Sequence, residues 1–209
     1  MAKKSNIHER AMLVNLTVRS WSGRKHDRTV TAEVAQSKHA AHDAGRYNKR
    51  LLPKQALELM QQISSAVRQE HYKRTLPWSD EGPRILSCQG FQDYQAAMLK
   101  FKRDFDKAAD DFSYNYKDYV QKARADLGDL YNEGDYPDPN VIRKKFAIET
   151  NIMPLPDGDD LRVSLPDADV EQLRKDIEEQ VKQSISNAQR DIYLRIQDVV
   201  SHMADKLAN

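Results

Sequence analysis

The sequence predicts a helix-dominated α+β fold, a long antiparallel stalk of two amphipathic helices carrying a small antiparallel β-sheet, in one elongated domain over 1–209. Three observations predict it. Apolar side chains recur at steps of three and four over 91–127, and again over 167–207. Residues 12–19 instead alternate with the period of two that a strand requires. Finally, only 39% of the residues are hydrophobic and 31% are charged, with a mean hydropathy of −0.81. Long helices account for that composition, because each buries a single stripe.

The elements follow in order. Met12, Val14, Leu16 and Val18 lie on one side of the first strand, which Trp21 and Gly23 close. A basic helical region over 29–71 follows, with a first helix from Thr29 to Ala44 ahead of Gly45. Pro53 forces a restart, since proline suits only the first turn of a helix. The second helix buries Leu57, Met60, Ile63 and Val67 and ends near His71. Residues 75–90 read as a partly apolar loop that packs down, with a turn at Asp80-Glu81-Gly82-Pro83.

Phe91, Tyr94, Met98, Phe101, Phe105, Phe112 and Tyr116 head the stripe of the first long helix, whose aromatic character points to core packing. Gly128 stands where a left-handed cap would end it. Alternation over 146–152 and over 161–165 predicts two more strands of the same sheet. Pro166-Asp167-Ala168-Asp169 then opens the last helix, its acidic residues suiting the positive end of the helix dipole.

Charge is unevenly distributed. Residues 1–75 hold 15 Lys/Arg and 6 Asp/Glu, whereas 76–209 hold 18 and 26. The asymmetry fits an anionic ligand at one end, attraction between copies, or a solvated surface with no partner. No apolar run is long enough for a transmembrane helix, and no apolar segment follows the basic N-terminus as in a secretory signal. Cys88 is the single cysteine, so neither a disulfide framework nor a cysteine-rich zinc site is available, and a cytoplasmic location is expected.

The chain has no Walker-type phosphate loop, dinucleotide fingerprint, nucleophile elbow or HExxH pair. No catalytic residue, cofactor or resident metal is expected. His39, His42 and Asp43 could share a helix face and hold an ion, although the cationic neighbours oppose it. The adjacent carboxylates Asp110-Asp111, Asp159-Asp160 and Glu178-Glu179 diverge on a helix and read as solvated.

The basic segment carries the sharper expectation. Arg24, Lys25 and Arg28 follow Trp21, and Lys38, His42, Arg46 and Arg50 recur at steps of four with Lys49 beside them. On a continuous helix those four would line one face, where cations could track a phosphate backbone and Trp21 could stack on a base. Nucleic-acid binding through Trp21, Arg24, Lys25, Arg28, Lys38, Arg46, Lys49 and Arg50 is therefore the expected function. A solvated face and an acidic protein partner are the competing readings.

Several landmarks also occur together: Val18-Arg-Ser-Trp21, Thr75-Leu-Pro-Trp-Ser-Asp-Glu-Gly82, Leu127-Gly-Asp-Leu-Tyr131, Asp135-Tyr-Pro137 and Pro154-Leu-Pro156. On these the chain resembles DUF3150-like hypothetical proteins of bacteriophages and integrative mobile elements. The resemblance implies an accessory factor, in some elements encoded near recombination functions or AAA+ ATPases of the MoxR/CobS type. It supplies no catalytic residue. A non-enzymatic phage or mobile-element protein that forms homo-oligomers and binds nucleic acid is the resulting expectation. The alternative is an assembly scaffold or adaptor for an AAA+ ATPase or a host defence factor.

Overall fold

The computed structural model describes residues 7–160 and 166–208. The fold is mostly helical α+β with a small antiparallel sheet. Two compact units are built from interleaved stretches of the chain. Met1–Thr17, Val67–Leu99 and Glu149–Asn209 make the first, and Val18–Ala66 and Lys100–Ile148 the second.

Strand β1 is Ala11–Arg19 and β6 is Ala147–Met153, as the alternation predicts. The expected strand 161–165 lies outside the described residues. Two strands come instead from the segment expected to be loop: β4, Leu76–Pro77, and β5, Arg84–Ser87, antiparallel across the predicted Asp80–Pro83 turn. The sheet order is β4-β5-β1-β6, and β1 pairs with β5 from Ala11↔Ser87 to Val14↔Arg84. Leu13 and Val14, on opposite faces of β1, are both buried, so this part of the strand is covered on either side.

In the first unit, Ala11, Leu13, Trp78, Ile85 and Leu155 pack against Val181 and Ala188. Both of the latter lie on α6, a 42-residue helix over Asp167–Ala208. In the second unit the predicted aromatic stripe is core. The Phe105 and Phe112 rings pack on Phe146 with centroids 6.4 and 5.3 Å apart, and Tyr116, Leu51 and Ile142 are buried.

The first long helix is divided into α3, Phe91–Tyr114, and α4, Tyr116–Leu127. Asn115 makes the break. Its side-chain amide donates to the Asp111 carbonyl at 2.8 Å, the same oxygen that its backbone N–H uses at 3.2 Å, and its ψ of 4° leaves the helical range. Gly128 ends α4 at the predicted place, with a positive φ of 51° but a ψ of −123°, outside the left-handed helical cap expected there.

The expected helix from Thr29 to Ala44 is shorter. Helix α1 runs only over Arg28–Ser37, and His39 takes a left-handed φ of 53°. The Ala40 N–H turns back to the Ala35 carbonyl at 2.9 Å, closing the helix end with a histidine where glycine is usual. Helix α2, Glu58–Arg74, follows a 3₁₀ turn after Pro53, and α5 is the short Pro139–Ile142. Among the described residues no helix is long and apolar enough to cross a membrane.

Candidate nucleic-acid interface

The basic segment folds within the second unit as strand, helix, strand. β2, Arg24–His26, pairs antiparallel with β3, Asn48–Arg50, and α1 connects them. Gly23 makes the entry possible. At φ +61° it adopts a conformation that L side chains resist, and a Cβ there would lie 2.8 Å from Leu57 Cδ1. Asp27 then caps α1, accepting from the Val30 N–H at 3.2 Å.

The ladder sets Arg24 opposite Arg50 and Lys25 opposite Lys49. Because side chains alternate along a strand, these pairs occupy opposite faces. The lysine pair is engaged inside the unit. Lys49 is only 6% exposed, and its Nζ lies 3.0 Å from Asp27 Oδ2 and 2.8 Å from Asp135 Oδ2. It also donates to the Leu130 carbonyl at 2.9 Å. Lys25, half exposed, holds the other Asp135 oxygen at 2.6 Å.

Burial alone would lower the Lys49 pKa, but hydrogen bonds to Asp135 and Asp27 outweigh it and hold the ammonium above its ordinary value. Burial would likewise raise the Asp135 carboxyl, yet Lys25 and Lys49 keep it low. Asp27 is lowered by its bond to Lys49 and by the Val30 N–H.

This changes the expected site. Lys49 is a structural ion and is withdrawn from phosphate contact, and Lys25 is shared with Asp135. Trp21 is half buried and packs edge-on against Tyr116 at 6.2 Å, so its ring is engaged inside the unit. The continuous helical face that was to align Lys38, His42, Arg46 and Arg50 does not form, because α1 ends at Ser37 and Arg50 belongs to a strand. For the same reason His39 and His42 lack helical spacing. Among the described residues no three His, Cys, Asp or Glu side chains gather to hold a metal.

Five of the predicted cations remain solvent-facing: Arg24, Arg28, Lys38, Arg46 and Arg50 are exposed, with no carboxylate partner among the described residues. Between α1 and the segment 40–47 that follows it lies an open hollow of about 320 Å³, walled by Val34, Ala35, Ala41 and Tyr47, with Lys38 and Arg46 also lining it. Tyr47 is held there by its backbone, its N–H donating to Thr31 Oγ1 at 3.0 Å and its carbonyl accepting from Asp27 N–H at 2.9 Å. It supplies exposed aromatic surface that Trp21 does not.

The first unit contains a buried polar centre that sequence spacing gave no sign of. His71, 5% exposed, shares a 2.9 Å hydrogen bond through Nδ1 with the Tyr94 hydroxyl. Thr75 Oγ1 donates to the His71 carbonyl at 2.6 Å and accepts from Arg84 Nε at 2.8 Å, while the Arg84 guanidinium lies 4.6 Å over the Tyr72 ring. Burial, then the Arg84 charge, lowers the His71 pKa to about 4, and burial raises the Tyr94 phenol. Both groups are neutral at pH 7.

Compared with known proteins, the chain matches no protein-family model, no curated protein and no solved structure.

Proposed function

We propose that this protein is a non-enzymatic accessory factor, of the phage or mobile-element kind its landmarks resemble, that binds nucleic acid through the exposed face of β2–α1–β3. The observation that carries the reading is the Arg24–Arg50 pair. The two residues stand directly opposite each other in the ladder, both are exposed, and neither has a carboxylate partner among the described residues. Like charges so placed repel. A phosphate between them would replace that repulsion with charge-assisted hydrogen bonds, which arginine makes in paired geometry. Arg28, Lys38 and Arg46 extend the cationic surface along the same segment. The apolar hollow beside Tyr47 would receive an unstacked base, favouring single strands over duplex.

The test is fluorescence anisotropy of a labelled single-stranded oligonucleotide at low and moderate salt, with nuclease-treated protein. Arg24→Glu/Arg50→Glu is expected to weaken binding at least about 10-fold and to flatten its salt dependence. Wild-type protein that does not bind, or a double variant that binds equally well, overturns the reading.

A further inference from the structure

Helix α6 carries one apolar stripe along its length, and the first unit covers only part of it. Ile177, Val181, Ile185 and Ala188 lean on the core around Leu13 and Trp78. The stripe then continues as Ile192, Ile196, Val199, Met203 and Leu207, at steps of four, three, four and four, widened by Val200. Exposure rises along it from 40% at Ile192 to 85% at Leu207.

We infer that this C-terminal stretch of α6 is a self-association seam whose occupant is the same stretch of a second copy. The size fits. With Tyr193 at the edge, the exposed side chains offer on the order of 800 Å² per copy, about what each partner of a standard interface buries. The charge fits as well. Over 190–207, Arg190, Arg195 and Lys206 balance Asp191, Asp198 and Asp205, so two copies meet without net repulsion and no strongly charged partner is selected. The stripe itself carries no charged residue, and one apolar strip is complementary to another of the same kind.

Reversal about Val199 and Val200 sets Ile196 against Met203 and Ile192 against Leu207. The same reversal sets Asp198 against Ser201 and Arg195 against Ala204. An antiparallel pair therefore brings no like charges together.

The experiment is multi-angle light scattering on nuclease-treated protein over a range of concentrations. A concentration-dependent mass approaching twice the 24.1 kDa of one chain is expected. Ile196→Glu/Met203→Glu should return it to the single-chain mass. Both side chains are exposed in the single chain, so tryptophan emission from Trp21 and Trp78 should stay unchanged and show the core intact. Leu194→Glu, exposed but off the stripe, should leave the larger mass in place. A wild-type chain that stays at 24.1 kDa overturns the inference, as does a larger mass that survives the double variant. A mass lost equally in Leu194→Glu overturns the assignment of the face. No nucleic acid is present, so this outcome is independent of the anisotropy result.

Discussion

The two units bury a basic side chain to nearly the same depth and leave it in opposite charge states. Lys49 and His71 are 6% and 5% exposed, respectively. Lys49 faces two carboxylates and keeps its proton; His71 faces a phenol and the charge of Arg84 and loses its own. Burial therefore does not fix ionisation. The partner does, because desolvation always penalises the charged form and only an opposite charge or a well-placed acceptor can offset it.

The comparison breaks most visibly if the partner is removed. Lys49→Met leaves Asp27 without its cation and Asp135 with Lys25 alone. A loss of about 3 kcal/mol in urea-unfolding stability is expected, the upper end for hydrogen bonds to charged groups. A loss below about 1 kcal/mol would mean that the two carboxylates do not depend on the ammonium.

His71 gives a smaller effect with a defined pH window. Its folded pKa, about 4, lies below the unfolded value of 6.5, so between those values the unfolded chain binds the proton and the folded one does not. Stability should therefore fall as the pH drops from 6.5 toward 4 and then level, by at most about 3 kcal/mol for a shift of this size. Urea midpoints at neutral and mildly acidic pH measure it. His71→Gln, which can still bond the Tyr94 hydroxyl, should flatten that part of the profile.

The smallest effect sharpens the contrast within the ribbon. Arg24→Gln/Arg50→Gln removes two exposed cations with no carboxylate partner among the described residues, so thermal stability should change by no more than about 0.5 kcal/mol. A clear loss would show that these arginines are structural like the lysines on the opposite face.

Much of the fold was legible in the sequence, for reasons that local periodicity explains. Strands β1 and β6 alternate, α6 keeps its stripe throughout, and Gly128 stands at the end of α4. What was hidden depends on groups that periodicity does not report. Helix α1 stops at an αL histidine, with neither Gly nor Pro to mark the place. Asn115 divides the long helix through a side-chain amide that competes for a backbone carbonyl. β4 and β5 are too short, and too close to turn residues, to show an alternation.

The candidate site was legible in composition and misread in detail. Arg24, Arg28, Lys38, Arg46 and Arg50 stay exposed. Lys49 and Trp21 are taken up by Asp135 and Tyr116, distant in sequence, and only the tertiary fold brings them together. A strand's period of two, read over 24–26 and 48–50, separates the outward arginines from the inward lysines once the pairing is known.

Every residue of α6 from 196 to 207 is exposed in the single chain, beyond Arg195, which still reaches the Lys73 and Thr75 carbonyls. A helical stretch of that length is marginal in water when nothing packs against it, because its hydrogen bonds barely repay the ordering of the backbone. Its final turns are therefore the part of α6 that gains most from a packing partner, and a second copy on the stripe would hold the helix to its end. On that proposal secondary structure at this end of the molecule would vary with protein concentration, and dilution would act on it as heat does.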